Sequence, residues 1–342
     1  MDPIQLVDRL GIPSEVASTL VNSRTCEFAT LSRSGAPITN PLWPSLGVDG
    51  TIDVHTALAI PSKAERARRN PNVCLSYCRP TNPELERPPI VVVSGSAAVR
   101  DADLQANTDR YVRFALEAMP GMFGRIPGPV LRQLGFYFTR IYIEVAPRWI
   151  WWWPEGDLTR LPERWVISGD PPMSRSDPPP RPATAAEKPA RPAVAAPDDW
   201  RRDLAYALDR LGPPVLTTVD QDGYPVALPA LSATRVALGV TLEMPPVAEA
   251  RPRGLACLSF HAFGFRGGII RQENVSFAGR IGGTIDGPVF EVDRQLAAIS
   301  VGGMWSMART FLGLWRPGRR RLAIEADRRG QPVPRVRMST AE

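Results

Sequence analysis

Apolar and polar positions alternate along most of this chain with the two-residue period of strands, and the 3.6-residue period of helices is confined to a few segments. Glu27–Ser32 reads as a strand, Arg33-Ser34-Gly35 as a turn, and Ala36–Leu46 as a second strand interrupted by Pro37, Pro41 and Pro44. Each proline removes a ladder donor, so this segment belongs at a sheet edge or at bulges where a ligand can approach the backbone. Thr51–Thr56 predicts a third strand, Pro89–Val99 a further one with Ser94-Gly95-Ser96 near its middle, and Phe136–Val145 a long one. Asp2–Leu10 and Ser14–Asn22 read as short helices opening near prolines. Asp101–Ala118 can put Leu104, Tyr111, Phe114, Ala115 and Ala118 on one helical stripe.

Periodicity stops at Ser168–Pro197, which is dominated by Pro and Ala and holds Pro178-Pro179-Pro180. Such a segment buries too little to fold and predicts a semi-rigid, extended spacer. The chain divides accordingly into 1–165, a linker 166–197, and 198–342. After the linker, Asp198 or Asp199 caps a helix carrying Trp200, Leu204, Leu208 and Leu211 on one face. The pattern then repeats. Leu216–Pro229 can be laid on Phe28–Pro41, with Gly223 on Gly35, Thr218 on Thr30, Pro225 on Pro37 and Pro229 on Pro41. Cys257-Leu258-Ser259-Phe260 falls on Cys74-Leu75-Ser76-Tyr77, Gly279 on Gly95, and Ile324-Glu325-Ala326 on Ile143-Glu144-Val145. This predicts a mainly β chain built as a tandem repeat of one β-rich domain.

One stretch of the first repeat carries chemistry. Val54–Tyr77 reads as strand, loop, short helix and strand, and Ser62-Lys63-Ala64-Glu65 fits a capping box in which Glu65 reaches back to the helix start. A helix opening there points free N–H groups and its positive end into the loop, and Lys63 adds a full charge at that end. An anion would resolve the conflict between Lys63 and the dipole, so the expectation is a phosphate site, with Arg66 one turn on. The competing reading is a solvated basic face, the commoner origin of Lys/Arg runs on short helices.

The formal net charge of +6 favours anionic partners without choosing among them. The sequence shows no apolar run long enough to span a bilayer and no secretory signal pattern at Met1–Leu10, and a cytoplasmic protein is expected. Cys26, Cys74, Cys78 and Cys257 lack metal-ligand spacing. Cys74 and Cys78 would lie about 13 Å apart along a strand, too far to bridge, and all four read as reduced core residues. His55 and His261 are the only histidines, so no His-rich metal site is expected; both read as structural. Pro147–Pro154, with Trp149, Trp151, Trp152 and Trp153, either covers a ring system or plugs a barrel end, the plug being favoured.

Thr30–Trp43, Asp53-Val-His-Thr56, Ser62-Lys63, Asn70–Ser76 and Val93–Val99 together resemble the pyridoxamine 5′-phosphate oxidase-like split β-barrel superfamily. The resemblance covers most of residues 20–153 and, more faintly, 200–330. It implies two tandem split β-barrel domains with peripheral helices, and a flavin lying between barrels. By position, Ser62 and Lys63 would hold the cofactor phosphate with Arg66 nearby, Thr56 would end the strand beside it, and Asn40, Pro41, Leu42 and Trp43 would line the flavin ring. Flavin mononucleotide (FMN) is the cofactor implied first, in an oxidoreductase that moves hydride to or from a small organic substrate. The alternatives are a reductase using the deazaflavin coenzyme F-420, whose acidic tail would suit Arg66, Arg68 and Arg69, and a non-catalytic flavin- or heme-binding protein.

The second repeat departs from the pattern. In place of Ser62-Lys63 it has Glu243–Arg251, with no Lys, two carboxylates, and Arg251 or Arg253 as substitutes. A degenerate partner barrel is expected, pairing within the chain as a pseudo-dimer or with a second copy in a homodimer. Nucleic acid is disfavoured, because the basic cluster Arg316, Arg319, Arg320 and Arg321 comes without a stacking surface.

Overall fold

The computed structural model describes residues 7, 11–47, 50–80, 85–120, 127–166, 174–187, 199–247, 253–265, 269–284 and 287–337. The helix expected over Asp2–Leu10 lies outside these apart from Val7. Helix α1 (Ser14–Asn22) leads into β1 (Cys26–Leu31), β2 (Pro37–Leu42), β3 (Pro44–Leu46) and β4 (Ile52–Ala57). Then come α2 (Ser62–Arg69), β5 (Asn72–Tyr77), β6 (Ile90–Arg100), α3 (Leu104–Ala118), α4 (Gly128–Gln133), α5 (Gly135–Phe138), β7 (Arg140–Trp153) and β8 (Glu163–Val166). The rest comprises α6 (Asp199–Arg210), β9 (Val215–Val219), β10 (Pro225–Pro229), β11 (Ser232–Val236), β12 (Gly239–Glu243), β13 (Gly254–Phe265), β14 (Ile269–Thr284), β15 (Gly287–Gly302) and α7 (Gly303–Arg328).

The strands form two antiparallel sheets with one strand order. The first runs β2-β1-β5-β6-β7-β4-β3 with β8 on β7, and the second runs β10-β9-β13-β14-β15-β12-β11. Strand by strand the second sheet reproduces the first, so the fold is mainly β and the split barrel occurs twice. The repeat extends to a local defect. The β6–β7 ladder shifts register at Ser94/Gly95 and the β14–β15 ladder at Ala278/Gly279. At both glycines an added Cβ would run into a carbonyl of the neighbouring strand, Ala146 or Glu291.

One of the sequence pairings fails. Ile324-Glu325-Ala326 lies in α7, not in a strand, and the counterpart of β7 is β15. The cause is an asymmetry of connections: β14 and β15 form a tight hairpin, whereas β6 and β7 are separated by α3, α4 and α5. The strand expected over Phe136–Val145 is likewise corrected. Its first residues form α5, closed by Thr139 N–H donating to Gly135 O at 2.9 Å, and the strand begins at Arg140 and runs on through the tryptophans.

The tryptophan run packs on two sides of its strand rather than plugging one barrel end. Ile150 and Trp152 pack in the first barrel's core with Phe28, Leu75, Val91 and Val93. Trp149, Trp151 and Trp153 point the other way, into a cluster shared with Val215, Val226, Ala227 and Leu228 of the second half. Successive residues of a strand face opposite sides, so a strand covered on both sides is apolar at every position. That is why β6 reads Ile-Val-Val-Val and β7 ends Trp-Ile-Trp-Trp-Trp. The shared cluster forms because β10 lies on β1, β5 and β6 while β2 lies on β9, β13 and β14. The second barrel keeps a core of its own around Leu204, Leu216, Leu258, Phe260, Phe277 and Phe290.

The last helix binds back onto the first half. Leu322 and Ala326 of α7 are part of the first barrel's core. The buried Glu325 carboxylate accepts from Arg328 and Arg329, each at 2.8 Å, and pairs with Arg321. Arg329 goes on to Glu65 and Asp101, both at 2.7 Å. Within the segment expected to be a semi-rigid, extended spacer, Asp177 N–H donates to Val99 O at 2.9 Å, and the Asp177 carboxylate accepts from the Asp101 and Ala102 N–H groups at 2.7 Å. That stretch lies against the first barrel.

Candidate functional site

Helix α2 opens without the expected capping box. Pro61 occupies the N-cap with no side-chain cap, Ser62 is the first helical residue and exposed, and Glu65 turns to Arg329 and Arg68. An ion pair with the returning C-terminal segment outcompetes a local bond to a backbone N–H. The helix buries Ala64 and Ala67 and stops at Asn70, which is extended before Pro71. Lys63 and Arg66 lie three apart, on one side of α2, and Arg66 faces the β1–β2 hairpin.

Arg66 Nε donates to Thr30 Oγ1 at 2.7 Å and Nη2 to Asn40 Oδ1 at 3.1 Å. Both acceptors are neutral, so they aim the guanidinium without cancelling its charge. Burial, and then Arg69, lower Arg66 to about 10. Cys257 of the second half lies within electrostatic reach of Arg66, so the site borders the junction of the halves. Lys63 is half-buried, and burial, followed by the charges of Arg66 and Arg140, lowers its ammonium to about 8. Among the described residues, none of Lys63, Arg66 and Arg140 forms an ion pair with a carboxylate. Desolvated cations left without a counter-charge are costly, and an arriving anion relieves that cost.

The other expected site residues are distributed around this group. Asn40 meets Arg66 directly, and Pro41 sits opposite Glu27 in the ladder of edge strand β2. Leu42 packs on the first core. Trp43 stands edge-on to Phe114, ring centres 5.2 Å apart, and belongs to a satellite cluster with Tyr111, Phe138 and Met119. Thr56 is buried, and its hydroxyl donates to Ile60 O at 3.0 Å, shaping the loop before α2. Arg68 does not join: it is tied to Asp101 at 2.7 Å and to the Asp177 carbonyl. Only Arg66 and the exposed Arg69 therefore remain of the three arginines suited to an acidic tail.

Three features of the structure carry no site signal in the sequence. Thr30 is legible there as a marker of the repeat and the start of the family-like motif, not as a partner of Arg66. Arg140 is remote in sequence and buried; its guanidinium donates to Tyr111 OH at 2.9 Å and lies 4.1 Å from the Tyr111 ring centre and 4.6 Å from that of Tyr137. The third is a buried group of Glu27, Cys78 and His261, whose donor atoms all lie within 4.8 Å of one another. Burial acts to raise Glu27, but His261, Cys78 and Arg79 outweigh it and hold the carboxyl below its ordinary range. No spacing signal announces this set, because the fold alone unites its three segments.

Of the two histidines, His55 is the one enclosed as a structural residue. His55 is buried among Tyr111, Phe114 and Tyr142. Burial, reinforced by Arg140, holds it well below the usual imidazole range, so it is neutral. In the second half, Glu243 accepts from Ser232 Oγ at 2.9 Å and Arg253 is exposed; Arg251 lies outside the described residues. Among the described residues no helix is long and apolar enough to cross a membrane. In the basic cluster of α7, Arg319 lies over Trp315 at 5.5 Å, while Arg321 is spent on Glu325.

No family model matches the chain, and no curated protein matches it. Solved structures align with about two fifths of it. A conserved hypothetical protein of Mycobacterium tuberculosis is 21% identical over 42% of this chain and 84% of its own, with a TM-score of 0.32. A putative pyridoxamine 5′-phosphate oxidase from Listeria innocua is 16% identical over 40% and 93%, with a TM-score of 0.27. An F-420 reductase is 17% identical over 39% and 93%, with a TM-score of 0.29.

Proposed function

We propose that this chain is a tandem member of the pyridoxamine 5′-phosphate oxidase-like superfamily that binds a flavin-type nucleotide beside α2, and that it acts as an oxidoreductase on a small organic molecule. The observation that carries this reading is the desolvated, uncompensated pair Lys63 and Arg66, of which Arg66 is steered by Thr30 and Asn40 near the border with the second half. A phosphate fits this donor set, since a guanidinium with a fixed orientation and a mobile ammonium are complementary ways of gripping one. FMN is the first candidate.

A bound flavin would supply the hydride chemistry itself. The chain's own contribution is then to bind, orient and shield. Lys63 and Arg66 hold the anionic end. The proline-bearing edge strand β2, with Asn40, Pro41, Leu42 and Trp43, offers backbone groups to the ring. The second half acts as the opposing wall, so one chain makes the pseudo-dimer that two single-barrel chains would otherwise form. Heme lacks support: among the described residues His55 is enclosed by aromatic rings and His261 is engaged with Glu27.

The test is an FMN titration followed by flavin fluorescence, beside the absorbance spectrum of the purified protein. Lys63→Ala and Arg66→Ala should each weaken FMN at least about tenfold, the loss of one charge-assisted phosphate contact. The exposed Arg69 suits the acidic tail of coenzyme F-420, so titrating the unmodified protein and Arg69→Ala with each cofactor decides between the two. FMN affinity untouched by either substitution, with F-420 also unbound, would remove the site.

A further inference from the structure

We propose that Glu27, Cys78 and His261 form a three-ligand site for a divalent transition-metal ion, zinc in the first instance, shared by the two halves of the chain. It shares no residue with the proposed flavin site and does not depend on it. Glu27 sits in β1, Cys78 immediately follows β5, and His261 is in β13 of the second half. The repeat that pairs Cys74–Tyr77 with Cys257–Phe260 makes Cys78 and His261 equivalent positions. Both converge on a single carboxylate oxygen. Cys78 Sγ donates to Glu27 Oε1 at 3.1 Å, and His261 Nδ1 contacts the same Oε1.

The donor chemistry is that of zinc. A thiolate, an imidazole nitrogen and a carboxylate oxygen are its standard ligands, and the mixed soft and borderline character disfavours magnesium and calcium. Glu27 and His261 are buried while Cys78 is half-buried, so three protein ligands would leave a fourth position toward the Cys78 side. Charge balance is favourable. The dication replaces two hydrogens now directed at one oxygen: the Cys78 thiol gives its proton to solvent and becomes a thiolate, the Nδ1 hydrogen of His261 moves to Nε2 by exchange with solvent so that the neutral imidazole ligates through Nδ1, no electron is transferred, and Zn²⁺ with two anionic ligands is neutral. Arg79 opposes any extra positive charge, but its guanidinium is occupied by the carbonyls of His261, Leu211 and Pro213. Those bonds anchor the second half beside the ligands, so a bound ion would act as a cross-link between the halves.

The experiment uses full-length protein stripped with a chelator and reloaded with Zn²⁺ or Co²⁺. One equivalent of Zn²⁺ should be retained after desalting, Zn²⁺ should raise the melting temperature, and Co²⁺ should give a thiolate-to-cobalt charge-transfer band. Cys78→Ser should abolish that band, and Cys78→Ser and His261→Gln should each weaken Zn²⁺ by more than the roughly 10–100-fold that loss of an outer partner costs. Retention of well under one equivalent, or a Co²⁺ spectrum without the thiolate band, would overturn the proposal. So would Zn²⁺ binding unchanged in Cys78→Ser. Should a variant fail to fold, the Co²⁺ spectrum of the unmodified protein decides alone.

Discussion

Thr39 and Thr217 share a buried hydrogen bond of 2.6 Å across the two halves of the chain. The repeat places Ala227 in the position of Thr39 and Ala29 in that of Thr217, and both alanines are buried in the shared apolar cluster. Equivalent positions of the repeat thus meet the shared region once as a polar pair and once as members of the apolar cluster. Thr39→Val or Thr217→Val alone strands a buried hydroxyl and should cost about 1–3 kcal/mol. The double substitution should cost clearly less than the two singles summed, because both partners leave together. Urea unfolding of the four proteins measures this; strict additivity would mean the hydroxyls do not interact.

Lys63 should make stability and anion binding respond to pH in opposite directions. Its folded value of about 8 lies below the ordinary 10.5, so within that window the unfolded chain carries the extra proton. Stability should rise with pH from about 8 to 10.5, and Lys63→Met should flatten that part of the profile. Phosphate binding should weaken over the same range as the ammonium discharges. Melting temperatures of both proteins across the window, with and without inorganic phosphate, provide the check. A matching profile in Lys63→Met would refute it.

Gly95 and Gly279 occupy equivalent bulges, and at each a side chain would meet a neighbouring carbonyl. Gly95→Ala should destabilise by about 1–3 kcal/mol, the range of overpacking. Denaturant midpoints test this. A change within experimental error would show that the ladder shifts freely at the bulge.

Glu325 is buried against Arg321, Arg328 and Arg329. Removing one partner of such a group leaves charges uncompensated, and Glu325→Ala should cost about 3–5 kcal/mol. Proteolysis should then release the α7 segment before the barrels open. Cleavage rates equal to those of the unmodified chain would argue that Leu322 and Ala326 alone secure the helix.

Truncation addresses the partner role. A chain ending at residue 197 loses Leu322 and Ala326 from its own core and uncovers Trp149, Trp151 and Val92. It should be insoluble or self-associated, as read by size-exclusion chromatography. A well-folded monomer with normal flavin affinity would show that the second half is not a required wall.

The repeat was legible because its markers are local. Gly35 and Gly223 adopt positive φ of 79° and 82° in equivalent turns, and Pro37 and Pro225 each begin the edge strand that follows. Such residues answer to backbone sterics, which are the same wherever the turn is placed. Lys63 and Arg66 were legible as a pair for a similar reason, since residues three apart on a helix share a face. Glu65 was misread as a cap because its partner, Arg329, lies near the other end of the chain. Ile324–Ala326 was misread as a strand because three residues carry too little periodicity to separate strand from helix.

By itself, the sequence determined the strand-rich class, the duplication and the basic face of α2, all of which follow from local period, turn chemistry and charge. Tertiary structure alone decided which charges stay uncompensated: Arg68 is consumed by Asp101, while Lys63, Arg66 and Arg140 find no carboxylate among the described residues. It also brought Glu27, Cys78 and His261 together and turned alternate tryptophans toward the second half. Coulombic and packing energies depend on separation in space, and in a chain folded onto its own repeat, that separation bears little relation to distance along the sequence.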